Sequence, residues 1–315
     1  MPELPEVETV RRGVDAAFRG GRISAVEVYN PRAVRRHAAG VEDFTAALRG
    51  LTVTGSGRRG KFMWLHLDEH PLGAGLPGGD LALVCHLGMS GQFRVMDAGT
   101  EPHRHLRVRL RFADERELWF VDQRTFGFLE VVTHDGTVPK TLGHIAPDVF
   151  EPEFDAERAA ARLRSRRIEV KKALLDQGWI SGVGNIYADE ALWRAGIRGR
   201  RLGERISRRK ALELIGHVRA VLEEALEAGG TSFDPLYVRV NGESGDLNID
   251  VERVEGSRAL ERRDWQCRAS VLRRQAILRS DLAWRDLGKQ FDGPTCSAAH
   301  RHRAGSRTLE GAGHA

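Results

Sequence analysis

The chain has 315 residues, of which 41% are hydrophobic and 30% are charged, and its formal net charge is +5. This length is enough for two domains with separate cores, and the basic balance favours a polyanionic partner, most simply nucleic acid. No apolar run approaches the roughly 18 residues that cross a bilayer, so the sequence excludes a membrane-spanning class and predicts no membrane partner.

The start of the chain is acidic where a secretory signal is basic and then apolar. The three cysteines, Cys85, Cys267 and Cys296, are too few and too far apart for a disulfide framework. Both observations predict a cytoplasmic protein. Cys85 lies in the apolar run LALVCHL and is expected in a core.

The opening stretch, MPELPEVETV, predicts a helix. A proline at the first helical position and acids in the first turn, here Pro2, Glu3 and Glu6, are typical of a helix start. Apolar residues then recur at helical spacing, namely Val7, Val10, Val14 and Phe18.

The segment that follows, to about residue 133, is rich in valine, leucine and aromatic residues and reads as strands. The runs RVRLRF and RELWFVD alternate in period two around the turn ADE, which predicts a hairpin. This pattern favours a β-sandwich or barrel on which the opening helix packs.

From about residue 153 the apolar period becomes helical, in FDAERAAARLRS, VKKALLDQGW and NIYADEALWRAG. Ser207 can cap a further, long helix that ends near Gly229. The fold class is therefore α+β. We expect an N-terminal sandwich over 1–133, a proline-containing linker over 134–152, a helical domain over 153–245 and a divergent tail over 246–315.

The first candidate for chemistry is Pro2. Methionine aminopeptidase generally removes Met1 before a small residue, and Pro2 would then carry a secondary amine at the N-terminus. An α-amino group has a pKa near 8, so a useful fraction is neutral, and a neutral amine can attack a sugar C1′ to form an iminium. Glu3 beside it could protonate the sugar ring oxygen or relay the amine's proton.

Three further motifs carry candidate side chains, each of which would suit an ordinary surface residue if it stood alone. Lys61 in RRGKFMW could assist elimination or bind phosphate. Met89 stands at the tip of the turn HLGMSG, where a protruding apolar side chain can wedge into a base stack. In extended chain, Arg124 and Phe126 of DQRTFG would project together and could fill a gap in a duplex.

The most distinctive stretch is VKKALLDQGWISGVGNIYADEALWRAGI. Two helices joined by a turn with Gly182 and Gly184 would aim backbone N–H groups outward, with Asn185 at the start of the second helix. Such an arrangement can bind phosphate, and Arg166 and Lys171 could add positive charge. A plain helical hairpin is the alternative.

These motifs occur in one order, from PELPEVET through RRGK, HLGMSG and DQRTFG to GVGNIYADEALWRAGI. In combination they resemble the formamidopyrimidine-DNA glycosylase family, over residues 1 to about 245. The resemblance implies a β-sandwich with a leading helix, then a helix–two-turns–helix domain, with DNA in the cleft between them. Nothing in the sequence argues for an oligomer, so we expect a monomer, associated with the nucleoid while it acts on DNA.

The resemblance implies excision of 8-oxoguanine and formamidopyrimidines from double-stranded DNA, by flipping out the lesion and then nicking the strand by β,δ-elimination. Pro2 would be the Schiff-base nucleophile, Glu3 the general acid, and Lys61 an aid to strand cleavage. Met89, Arg124 and Phe126 would fill the space left by the base. The residues that would bind the DNA backbone are His103, Arg124, Arg166, Lys171 and Asn185.

The tail departs from the family pattern. The family's zinc finger has two C-x-x-C pairs, whereas this sequence has none, and the remaining potential ligands are Cys267, Cys296, His300 and His302. Their spacing fits no ordinary finger, so Zn²⁺, typical of the family, is doubtful here and no metal ligand is assigned. The tail is either a zinc-free substitute for the finger or the product of a frame shift after VNGESG.

Two other functions remain open from the sequence. Loss of the finger would suit a non-catalytic relative that binds damaged DNA without forming an adduct. A glycosylase of the endonuclease VIII type would prefer oxidised pyrimidines. That group usually begins with a peptide of the PEGPE type, so PELPE favours the purine-directed branch.

Overall fold

The computed structural model describes residues 2–68 and 80–230. Within these ranges the α-helices are α1 (Leu4–Phe18), α2 (Gly40–Leu48), α3 (Ala156–Arg164), α4 (Val170–Leu175), α5 (Asn185–Arg194) and α6 (Arg208–Glu227). The strands are β1 (Ile23–Val28), β2 (Val53–Arg59), β3 (Phe62–Leu67), β4 (Asp80–His86), β5 (Gly91–Asp97), β6 (Leu106–Phe112), β7 (Arg116–Asp122) and β8 (Phe128–His134). Short 3₁₀ helices cover Pro31–Val34, Lys140–Leu142 and Gly203–Arg205.

The strands form two four-stranded antiparallel sheets, in the orders β1-β6-β7-β5 and β2-β3-β4-β8. Their inner faces share one core, which contains Cys85 as expected. The hairpin of β6 and β7 is present. However, β7 is buried on both faces, because Trp119 and Val121 pack in a second small cluster with Leu106.

Helix α1 joins the two halves of the molecule, which are the β-sandwich of β1 to β8 and the helical half of α3 to α6. Its four predicted apolar residues are buried in the core of the sandwich, whereas Leu4 lies in the core of the helical half. The prediction that Pro2 opens the helix was wrong. Glu3 is the N-cap, with an extended backbone, and the helix begins at Leu4, because the Glu6 carboxylate accepts the Glu3 backbone N–H at 2.9 Å.

The helical half has one core, formed by α3 to α6 with Leu4. Helix α4 is shorter than predicted, because Asp176 ends it and its carboxylate accepts the Gly178 N–H at 3.0 Å. Two turns over 176–184 then lead into α5. Ser207 caps α6 by accepting the Lys210 N–H, as the sequence predicts, and Gly229 has a left-handed φ of 74° just after its end.

The segment between β8 and α3 packs against both halves. Leu142 and Ile145 cover the outer face of the second sheet, while Val149 lies in the helical core. Asp148 is fully buried, and its carboxylate accepts from the Arg58 guanidinium at 2.7 Å and from the Gly60 N–H at 3.3 Å. The domain limits at 133, 152 and 245 stay predictions.

Asp148→Ala is expected to lower the free energy of unfolding by about 3 kcal/mol, because it leaves the buried Arg58 with Glu8 as its remaining carboxylate partner. Urea titration at pH 7 measures this change. Asp114→Ala is the control, since it removes an exposed ion pair with Arg116, and it should cost no more than about 1 kcal/mol. Equal losses in the two variants would contradict the prediction.

Candidate active site and nucleic-acid interface

The start of the chain is inserted between the two halves of the molecule. Pro2 is buried, and Glu3 is 3% exposed. The Glu3 carboxylate accepts N–H groups from Gly184 at 2.5 Å and Ile186 at 3.0 Å, at the N-terminus of α5. A Cβ on Gly184 would overlap that carboxyl group, so glycine is required for this close approach.

Burial dominates the electrostatics of Glu3. It raises the pKa of the carboxyl group to about 7, with a further upward contribution from Glu6. Lys61 and the two backbone N–H groups oppose this change by stabilising the ionised form. Because of this balance, Glu3 is partly protonated at neutral pH, as a general acid requires.

Lys61 lies in the turn between β2 and β3, not within a strand, and is 7% exposed. The turn packs against the helical half, since a Cβ on Gly60 would stand 2.6 Å from the Ser181 Cβ. Burial lowers the pKa of Lys61, and the charges of Glu3 and Glu6 oppose that effect. The structure therefore brings Lys61 into the electrostatic environment of Glu3.

Glu6 and Tyr187 are residues of this site whose roles sequence reasoning missed. The Tyr187 hydroxyl donates to Glu6 at 2.7 Å, while the other Glu6 oxygen accepts the Glu3 N–H. Both side chains are buried. The three-residue spacing of Glu3 and Glu6 signals a reciprocal cap, but nothing local in the sequence points to Tyr187.

The three side chains predicted to fill a gap in a DNA duplex, those of Met89, Arg124 and Phe126, lie at one surface. Met89 and Phe126 are two of the three large apolar side chains that are exposed in the described part of the chain, at 38% and 47%. The Arg124 guanidinium lies 3.3 Å from the Met89 sulfur. The expected extended backbone is wrong, because Thr125 has a left-handed φ of 53°, yet Arg124 and Phe126 are both exposed.

The expectation that the turn before α5 aims its N–H groups outward was wrong for two of its glycines. Gly182 donates to the Gln177 side chain at 2.9 Å, and Gly184 donates to Glu3. These donors are therefore used inside the protein. Asn185 is exposed at the start of α5.

The basic side chains predicted to bind the DNA backbone are either paired with an acidic side chain or partly buried. Arg166 pairs with Asp176 at 3.0 Å, and Lys171 pairs with Asp189 at 2.6 Å. His103 is half-buried, and burial, with Arg94 and other neighbouring cations, lowers its pKa. These three side chains lie on separate elements of both halves, so the sequence alone could not show whether they share a surface.

Models of known families match both halves of the chain. The model described as "Formamidopyrimidine-DNA glycosylase N-terminal domain" matches residues 1–129, and the one described as "Formamidopyrimidine-DNA glycosylase H2TH domain" matches residues 145–235. The chain belongs to the formamidopyrimidine-DNA glycosylase family. The resemblance found in the sequence and the α+β fold are thereby confirmed, and the short helices α4 and α5 lie in the matched H2TH domain.

Curated relatives share the family name. A formamidopyrimidine-DNA glycosylase of Mycobacterium sp. (strain KMS) is 52% identical over 264 residues, covering 81% of this chain and 88% of the relative. That of Salinispora arenicola (strain CNS-205) is 54% identical over 246 residues, covering 78% and 82%. The enzyme class predicted from the sequence is the class of these relatives.

Solved structures of the Lactococcus lactis Fpg protein have the same fold. Its complex with DNA containing an abasic site has a TM-score of 0.67 at 31% identity, covering 77% of this chain and 84% of that one. A point mutant of the same protein, bound to DNA containing Fapy-dG, has a TM-score of 0.69 at 32% identity, covering 78% and 84%.

Zinc cannot be assigned from the residues that the structure describes. Residues 2–68 and 80–230 contain no group of three or more histidine, cysteine, aspartate or glutamate side chains that could hold a metal ion. The potential ligands in the tail lie outside these ranges, namely Cys267, Cys296, His300 and His302. The two explanations of the tail therefore stay predictions. In the same ranges no helix has the length and apolar character needed to cross a membrane.

Proposed function

We propose that this family member excises 8-oxoguanine and formamidopyrimidines from double-stranded DNA through a Schiff base on Pro2, and then nicks the strand by β,δ-elimination. The observation that carries the proposal is the burial of Pro2, Glu3 and Lys61 where the two halves meet. A buried carboxyl group with a pKa of about 7, next to Pro2, suits proton donation to a sugar.

The first step uses the Pro2 nitrogen, freed when Met1 is removed. Its lone pair forms a bond to C1′, the bond from C1′ to the damaged base breaks, and the proton that the Pro2 nitrogen loses goes to the departing base. Protonated Glu3 donates its proton to the ring oxygen as the C1′–O4′ bond opens, which leaves a cationic iminium on Pro2. The two backbone N–H donors then stabilise the carboxylate that Glu3 becomes.

The second step is elimination. The cationic iminium draws electrons from C2′, so a proton passes from C2′ to a basic group, a C2′–C3′ double bond forms, and the C3′–O bond breaks as the 3′-phosphate leaves as an anion. Lys61 has a lowered pKa because it is buried, so it suits a role in proton transfer or in holding the phosphate. The residue that would serve the second, δ-elimination step is not assigned.

Three exposed side chains, those of Met89, Arg124 and Phe126, would fill the space in the DNA duplex when the damaged base is flipped out. The apolar side chains can stack between bases, and the guanidinium can hydrogen-bond to the base opposite the lesion. Their grouping at one surface supports this role.

His103, Arg124, Arg166, Lys171 and Asn185 would contact phosphates. The Arg166–Asp176 and Lys171–Asp189 pairs are partly exposed, so these cations can turn towards a polyanion at low cost. We also propose a monomer in the cytoplasm that associates with the nucleoid, with the domain limits given above.

The test is a labelled duplex with one 8-oxoguanine opposite cytosine, incubated with the full chain with and without borohydride. A cut strand and a trapped covalent adduct are expected, and an unmodified duplex should stay intact. Binding without cutting or trapping, also with an abasic-site duplex, would instead identify a non-catalytic relative. Faster cutting at oxidised pyrimidines would identify the endonuclease VIII type. The family comparisons favour neither alternative.

A further inference from the structure

The loop that carries Arg124 and Phe126, residues 123–127 between β7 and β8, lies outside both sheets. We call it the wedge loop. Side chains, rather than a neighbouring strand, therefore bind several of its backbone polar groups.

One side of the wedge loop is held by Asp122. This fully buried carboxylate accepts the Arg124 N–H at 3.2 Å and the Gly127 N–H at 2.8 Å. It also accepts the Ser90 hydroxyl at 2.5 Å, which connects the wedge loop to the turn of Met89. Two N–H donors of the wedge loop, those of Arg124 and Gly127, are thus satisfied by a side chain inside the sandwich.

The other side is held by Arg35, which follows the 3₁₀ helix Pro31–Val34. Its guanidinium donates from Nη1 to the Gly127 carbonyl at 2.7 Å and from Nη2 to the Phe126 carbonyl at 2.9 Å. Nη1 also donates to the Arg32 carbonyl at 2.9 Å, and the guanidinium lies 5.5 Å from the centre of the Phe128 ring. Arg35 therefore ties two successive carbonyls of the wedge loop to a separate element of the fold.

We propose that Arg35 is a positioning residue that keeps the wedge loop in the form that inserts into DNA. The inference rests on the proposed function, because it assigns Phe126 and Arg124 the task of filling the space left by the lesion. Thr125 has a left-handed φ, which is an unfavourable conformation for a threonine, so the wedge loop needs contacts with other residues to keep this backbone conformation. A loop that already has this conformation loses less conformational entropy when it inserts into DNA.

The planar shape of the guanidinium matters as well as its charge. Two parallel N–H bonds to neighbouring carbonyls suit arginine, whereas lysine offers a single ammonium on a flexible stem. Arg35→Lys keeps the charge near DNA and loses this pairing. The variant therefore separates positioning from general attraction for a polyanion.

The chain offers a matched control in Arg36. Its guanidinium stacks over the same Phe128 ring at 4.2 Å and carries the same charge. Among the described residues, no hydrogen bond joins Arg36 to the wedge loop. Arg36→Lys and Arg36→Ala therefore remove an equivalent arginine without releasing the loop.

The experiment compares the natural chain with Arg35→Lys, Arg35→Ala and the two Arg36 variants in single-turnover cutting of an 8-oxoguanine duplex. A 2-aminopurine beside the lesion reports insertion through its change in stacking. Cutting of single-stranded DNA with an abasic site is the internal reference, since that substrate has no duplex to fill. Thermal melting checks that each variant is folded.

Arg35→Lys is expected to slow insertion and duplex cutting about tenfold, to leave single-strand cutting within about twofold, and to exceed the effect of either Arg36 variant. If Arg35→Ala fails to fold, the result for Arg35→Lys alone tests the proposal. Normal insertion in Arg35→Lys, or an equal loss in Arg36→Lys, would overturn the proposal. Failure of the natural chain to cut either substrate would instead overturn the proposed function.

Discussion

Replacing Pro2 by glycine is expected to lower the yield of the borohydride-trapped adduct strongly and to lower lesion excision by about 10³-fold or more. A secondary amine necessarily gives a cationic iminium, which pulls electrons from C2′. A primary amine gives an imine that can lose its proton and its charge. A terminus kept as an amide should give the same loss, because an amide nitrogen is not nucleophilic.

The measurement is a denaturing gel of the trapped product, followed by mass spectrometry of the N-terminal peptide. Pro5→Ala is the matched control, since Pro5 is buried in the first turn of α1 and leaves the terminus unchanged. An adduct that persists at full yield in Pro2→Gly, or that maps to Lys61, would assign the nucleophile elsewhere.

Glu3→Gln is expected to lower excision roughly 10²- to 10⁴-fold, because glutamine cannot deliver the proton that opens the sugar ring. Gly184 and Ile186 donate to different oxygens of Glu3, so the amide oxygen of glutamine can still accept one of these N–H groups, and the unchanged size of the side chain should keep the start of the chain in place. Single-turnover excision of 8-oxoguanine across a range of pH measures the loss.

The pH dependence identifies the acid. Burial raises the pKa of Glu3 to about 7, so excision by the natural chain should decline as pH rises through about 7 and the carboxyl group ionises. Glu3→Gln should lose this decline. A profile that is unchanged by the substitution would contradict a general-acid role.

The raised pKa of Glu3 also makes the stability of the fold depend on pH. The unfolded carboxyl group ionises near its ordinary value of 4.5, whereas the folded one holds its proton until about 7. Glu3 therefore weakens the fold progressively as pH rises between these values. Glu3→Gln should be at least as stable as the natural chain above pH 7, as denaturant unfolding can test.

Glu8 provides the contrasting control. Burial raises its pKa, but hydrogen bonds and charges, above all from Arg11 and also from Arg58, outweigh burial and lower it to about 2. Its charge therefore stabilises the fold above pH 4.5, and this contribution is lost as pH falls towards 2. Glu8→Gln should cost about 2 kcal/mol at pH 7 while the pH profile of excision keeps its shape.

The local signals in the sequence were sufficient for several elements. The spacing of Val7 and Val10, the cap at Ser207 and the hairpin turn ADE each act over a few residues, and each matches the structure. The motif order also identified the family, because it does not depend on three-dimensional contacts.

Local signals failed where a residue takes its conformation from a distant partner. The burial and hydrogen bonding of the Glu3 carboxylate depend on the N-terminus of α5, where Gly184 lies 181 residues away in the chain. The wedge loop is bent, rather than extended, and Arg35, 92 residues away in the chain, binds its Gly127 carbonyl. Such contacts leave no periodic pattern in the sequence.

The sequence by itself determined the fold class, the family and the identity of the chemical groups, because short-range spacing and motif order encode them. Only the tertiary structure decided how those groups behave. Burial between the two halves raises the pKa of Glu3, lowers that of Lys61 and places Tyr187 against Glu6. The physical reason is that desolvation and long-range hydrogen bonds depend on which surfaces meet, and that is settled when the halves pack together.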